Sequence, residues 1–125
     1  MGWLYVGIGG FIGSVLRYLV GLALPPVNGF PAATFTVNIL GSLVLGFLAA
    51  LSLNGILPDG DMSLLLRVGV CGGFTTFSTF ALESSGMLTD GDYRTAFTYM
   101  VASLALCIAA IFAGGWLAIT VSSAS

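Results

Sequence analysis

The chain reads as four long apolar stretches separated by short polar turns. The hydrocarbon core of a bilayer is about 30 Å thick, so a spanning helix rising about 1.5 Å per residue needs about 20 residues. Four stretches meet that length, at about 3–24, 33–53, 63–87 and 93–121. Pro25-Pro26 closes the first, because proline cannot continue a helix past its first turn. Asn54-Gly55 and then Pro58-Asp59-Gly60-Asp61 follow the second. The linkers are too short to hold a further domain. Residues 1–125 are therefore expected to form a single all-α, four-helix transmembrane domain. Short linkers make consecutive helices antiparallel, which gives an up-and-down bundle with both termini on one side.

Composition explains what surrounds these helices. The 125 residues are 58% hydrophobic and 6% charged, against about 25% charged in a soluble domain. Most of the apolar surface must therefore face lipid. The N-terminal stretch lacks a basic leader and runs too far for a signal peptide, so it is expected to stay in the mature protein. Formal net charge is -2, from three arginines, no lysine and five acids. That excludes a basic nucleic-acid surface and a polybasic patch for lipid headgroups. Arg17 and Arg94 fall near one membrane face and Arg67 near the other. The resulting positive-inside bias is a single charge, compatible with a fixed topology or with insertion in both orientations. Insertion both ways permits an antiparallel dimer.

Chemistry for an enzyme is missing. There is no histidine, no Ser-His-Asp set and no phosphate-cradling loop after a strand. Cys71 and Cys107 both lie in apolar stretches, as small packing residues rather than zinc ligands or a structural disulfide. Trp3, Tyr5, Tyr18, Tyr93 and Trp116 sit near helix ends, as interfacial aromatic belts require. The pairs Gly9/Gly13 and Gly69/Gly73 are small-xxx-small spacings suited to close helix packing.

Polar residues inside the spans carry the functional signal. The third stretch holds Gly72-Gly73-Phe74-Thr75-Thr76-Phe77-Ser78-Thr79-Phe80 near mid-membrane. Paired glycines followed by β-branched threonines are weak helix formers. Either the helix continues with hydroxyls bonded back to carbonyls, or it unwinds at Gly72 to Thr75. Unwound carbonyls can replace the hydration shell of a cation. Phe77 and Phe80 share a helix side, and their positive ring edges can attract an anion. Phenylalanine in a membrane helix more commonly faces lipid or packs the core. Thr76 and Ser78 add hydroxyls to the same stretch. The second span carries Thr34, Asn38 and Ser42 at spacing four, and the fourth carries Thr95, Tyr99, Ser103 and Cys107. Such stripes read as interhelical hydrogen bonding or as a hydrated track. Asn38 can donate an amide N–H to a passing anion. Arg17 either snorkels, lines an aqueous vestibule or pairs with Glu83.

Three segments in order resemble the Fluc (CrcB) fluoride channels. They are GGFIGSVLRY (Gly9 to Tyr18), TFTVNILGS (Thr34 to Ser42) and GGFTTFSTF (Gly72 to Phe80). Ser14 stands where the family usually has alanine, and the likeness covers nearly the whole length. The resemblance implies a dual-topology antiparallel homodimer with two fluoride pores and a broken third helix. It implies a structural Na⁺ held at the dimer centre by the backbone carbonyls of Gly72 and Thr75. It implies pore roles for Asn38, Phe77, Phe80, Tyr99 and Ser103, and a vestibule role for Arg17. Cys107 falls where a hydroxyl is expected. The implied activity is passive export of fluoride across the inner (plasma) membrane. A proton-coupled exporter of small multidrug type is the alternative, although it calls for a carboxylate in the first span, where this chain has Arg17.

Overall fold

The structure, a computed structural model, describes residues 1–124. Its long helices are α1 (Gly2–Ala23), α2 (Ala32–Leu53), α3 (61–74), α4 (Phe77–Thr89) and α5 (Tyr93–Ala124). With α3 and α4 taken together as Asp61–Thr89, four helical spans are long and apolar enough to cross a membrane. The described residues contain no strand. Val27 and Phe30 form only an isolated bridge, exchanging hydrogen bonds of 3.0 and 2.9 Å across Asn28-Gly29. Both turn residues have positive φ, 52° and 82°, the tight geometry that an Asn-Gly pair favours. The expected helix limits lie within two or three residues of those found.

Two intimate helix pairs build the bundle. In the first, α1 crosses α3 through glycines. A Cβ on Gly69 would lie 2.7 Å from the Gly9 Cα, and one on Gly73 would lie 2.7 Å from the Gly10 carbonyl oxygen. A Cβ on Gly13 would strike the Val70 carbonyl. Backbones this close gain dispersion contacts in place of the hydrophobic drive that lipid does not supply. In the second pair, α2 meets α5 where Gly46 faces the Ile111 carbonyl and Gly114 faces the Leu43 carbonyl.

Across the first crossing, α3 is not uniform. Asp61–Ser63 forms an α-turn, Leu64–Cys71 is π-helical, and Gly72–Phe74 returns to α. Thr75 and Thr76 then take extended backbone, with φ/ψ of -88°/156° and -152°/114°. Phe77 restarts the helix as α4. Gly72 keeps helical φ/ψ of -63°/-38°, so the glycine pair itself stays wound and the departure falls at the two threonines. Gly73, still helical, is where α3 comes closest to Gly10 and Ser14 of α1 at this level.

Candidate functional site

Extended backbone inside a membrane span leaves amides and carbonyls without helical partners, and each must find another. Here the partners are side chains from earlier helices. The Thr76 N–H donates to Asn38 Oδ1 at 2.8 Å, and Asn38 Nδ2 donates to the Thr76 carbonyl at 3.1 Å. The Asn38 amide thus imitates a neighbouring strand. Arg17 Nε donates to the Gly73 carbonyl at 3.1 Å. The Thr76 hydroxyl caps α4, accepting from the Thr79 N–H at 3.2 Å and donating to Thr79 Oγ1 at 3.1 Å. Thr75 Oγ1 donates back to the Cys71 carbonyl at 2.9 Å.

One consequence concerns two carbonyls. A continuous α-helix would direct the N–H of Thr76 at the Gly72 carbonyl and that of Thr79 at the Thr75 carbonyl. Both donors are diverted, the first to Asn38 and the second to Thr76 Oγ1.

Beside this segment lies a cavity of about 260 Å³. α2 supplies Asn38 and Ser42, the extended segment supplies Thr75 and Thr76, α4 supplies Phe77 and Phe80, and α5 supplies Ser103 and Cys107. Ser103 is only 6% exposed, and its hydroxyl has no hydrogen-bond partner. A buried hydroxyl without a partner is costly, by about 1–3 kcal/mol, unless something in the cavity engages it. Phe77 is largely exposed at 79% and touches Phe80 at 5.6 Å between ring centroids.

At the middle of α4 a carboxylate organises a second cluster. The Tyr99 hydroxyl donates to Glu83 Oε1 at 2.8 Å, and Thr34 Oγ1 donates to Glu83 Oε2 at 2.9 Å. Tyr99 is fully buried and packs on Phe80 at 5.0 Å and Phe30 at 5.3 Å. Phe80 therefore stands between the cavity and the Glu83 cluster. Next to it, Arg17, Thr34, Thr76 and Thr79 line a further cavity of about 360 Å³.

The expected site residues thus fall into groups. Asn38, Thr75, Thr76, Phe77, Phe80 and Ser103 share one cavity, and Cys107 joins them. Tyr99 stands behind Phe80 rather than in the cavity wall. Ser78 is exposed and lies outside that wall, and Gly72 is also exposed. Arg17 does not pair with Glu83: its Nε holds the Gly73 carbonyl, while Glu83 is held by Thr34 and Tyr99. Sequence reasoning named Glu83 only as a partner for Arg17 and gave Thr79 no role. The spacing of Thr34 and Tyr99 on facing stripes was the available signal for Glu83, since a membrane carboxylate needs donors.

Residues 4–115 match the family model described as CrcB-like protein, Camphor Resistance (CrcB). The fluoride-specific ion channel FluC of Chlorobaculum tepidum is 51% identical over 116 residues, 92% of this chain and 92% of that one. The protein of the same name from Caulobacter sp. strain K31 is 50% identical over 114 residues, 89% of each chain. That from Chlorobium chlorochromatii is 46% identical over 112 residues, 89% of this chain and 87% of its own.

Proposed function

Because this chain belongs to the CrcB family, we propose that it is a passive, fluoride-selective channel of the inner (plasma) membrane that lets fluoride leave the cytoplasm. Its relatives are named as ion channels, and the family is not one of enzymes. The observation that carries the reading is the cavity in which Asn38, Thr76, Phe77, Phe80 and Ser103 meet. Its wall offers donors without a fixed positive charge. Asn38 Nδ2 has two hydrogens and gives one to Thr76, so the second is available to an anion. Ser103 brings an unpartnered hydroxyl. The rings of Phe77 and Phe80 add positive edges. A small anion shedding its water can be met by such donors in turn, with no deep well to trap it. Beyond Phe80, the Tyr99–Glu83–Thr34 cluster and the Arg17 cavity continue a polar route toward one face.

The working unit in this reading is an antiparallel homodimer, with Gly72 at the contact between subunits. The carbonyls of Gly72 and Thr75, whose helical donors are diverted, suit a structural Na⁺ at the dimer centre. Carbonyl oxygens are hard donors of the kind such a cation takes. A Na⁺ held there would supply fixed positive charge, and the Asn38–Thr76 hydrogen bonds would keep the backbone turned toward it. Fluoride enters acid-exposed cells as neutral HF and is trapped as the anion, and the membrane potential then drives it out through a passive pore.

Purified full-length protein in liposomes tests this. With a K⁺ ionophore clamping the voltage, a fluoride electrode should record rapid efflux of fluoride and little of chloride. Absence of fluoride efflux, under conditions where a related FluC channel works, sinks the proposal.

A further inference from the structure

Arg67, like Arg94, is a cation that the proposed pathway does not use. It lies on α3 with Nη1 donating to Ser52 Oγ and Ser63 Oγ, each at a long 3.4 Å. Its Nε is sealed from solvent and has no partner. Asp59 enters the network only through Ser52, whose hydroxyl donates to Asp59 Oδ1 at 3.1 Å. Two long hydroxyl contacts are a poor environment for a guanidinium, which ordinarily collects charged acceptors when partly buried.

The cation fronts a cavity of about 450 Å³. Its polar end is Gly60, Ser63, Asp59 and Arg67, and its apolar wall is Leu45, Leu64 and Val68. Depth along the membrane follows from helix geometry. Thr75 is the middle residue of the span Asp61–Thr89. Arg67 precedes it by eight residues, at most about 12 Å along the axis, since the π-helical stretch Leu64–Cys71 rises less per residue than the ~1.5 Å of an α-helix. Half of the hydrocarbon core is about 15 Å. With Thr75 at mid-membrane, Arg67 lies in the outer part of one leaflet, with Leu64 on its headgroup side and Val68 on its acyl side.

We propose that this recess binds one membrane phospholipid, its phosphodiester on the terminal nitrogens of Arg67 and its upper acyl chain against Leu45 and Val68. A diester carries one negative charge, which a single guanidinium balances; the Asp59 carboxylate in the same cavity opposes any anion, and a dianionic phosphate twice as strongly. Because Nε is sealed, the terminal nitrogens are the ones that can reach a ligand.

The test uses the full chain, purified from membranes and reconstituted with phosphatidylglycerol in phosphatidylcholine, and reads retained lipid by native mass spectrometry. Wild type should hold one phospholipid per chain through mild activation. Arg67→Gln should lower that retention about tenfold or more, as loss of a charge-assisted hydrogen bond does. Arg94→Gln, which alters another interfacial arginine, should not. Val68→Trp fills the apolar wall while leaving the charge, and should also expel the lipid, which covers the case where Arg67→Gln fails to fold. Added phosphatidylglycerol should raise the melting temperature of wild type, and millimolar inorganic phosphate should not. Equal retention in Arg67→Gln or in Val68→Trp overturns the proposal. An equal rise with inorganic phosphate overturns it in favour of a free-anion site.

Discussion

Replacing Asn38 separates its role in holding the backbone from its role in meeting an anion. In Asn38→Ala, Thr76 loses both partners at once, the acceptor of its N–H and the donor to its carbonyl. Each unsatisfied buried group costs about 1–3 kcal/mol, so the extended form loses on the order of 2–6 kcal/mol. The winding of the chain offers an escape, because the Thr76 N–H can return to the Gly72 carbonyl as in a continuous helix. Ser42→Ala is the control, since Ser42 shares the cavity wall and makes no hydrogen bond to the extended segment. Asn38→Asp keeps the acceptor and loses the donor, leaving a carboxylate against the Thr76 carbonyl. Fluoride efflux from liposomes should fall by at least tenfold in Asn38→Ala and Asn38→Asp. In Asn38→Ala the amide of Thr76 should also change its hydrogen-exchange protection, while Ser42→Ala leaves that protection alone. Wild-type flux together with wild-type protection in Asn38→Ala would refute the argument that this side chain holds Thr76.

Three further outcomes follow from the same geometry. Gly69→Ala places a methyl 2.7 Å from the Gly9 Cα and should lower the melting temperature in detergent by several degrees, whereas Gly7→Ala, with nothing within 4 Å, should leave it unchanged. Phe80→Ile removes the ring between Tyr99 and the cavity and should cut fluoride flux strongly while the purified protein keeps its size-exclusion profile. Glu83→Gln leaves one oxygen to accept from both Tyr99 and Thr34, so flux should drop, with Tyr99→Phe adding little on top because the two share one interaction.

The four spans were legible because their length is a property of the solvent. An apolar run either covers the hydrocarbon or it does not, and Pro25-Pro26 and Asn54-Gly55 mark where it stops. The last helix runs to Ala124, past the expected Val121, with the hydroxyls of Ser122 and Ser123 bonded back to the carbonyls of Ala118 and Ile119. The polar stripes were also legible, since spacing four puts Asn38 near Ser42 and Ser103 near Cys107. Their partners were not. Asn38 was read as facing an anion, and one of its amide hydrogens goes to Thr76 because the backbone there needs it more. Glycine propensity drew attention to Gly72, yet both glycines stay helical where Gly73 packs on Gly10 of α1, and the extended residues are the threonines that follow. The π-helical stretch Leu64–Cys71, which lies against α1, leaves no mark in the sequence pattern.

The extended pair at Thr75 and Thr76 also constrains how the chain is made. Its side-chain anchors are Arg17 on α1 and Asn38 on α2, both upstream. A chain is synthesised from its N-terminus, so both anchors enter the membrane before the third span does. When that span leaves the insertion machinery, its unpaired amides and carbonyls meet waiting partners rather than bare hydrocarbon. Permuting the order of the helices would leave the finished contacts intact on paper, and would expose the segment to lipid during its own biogenesis.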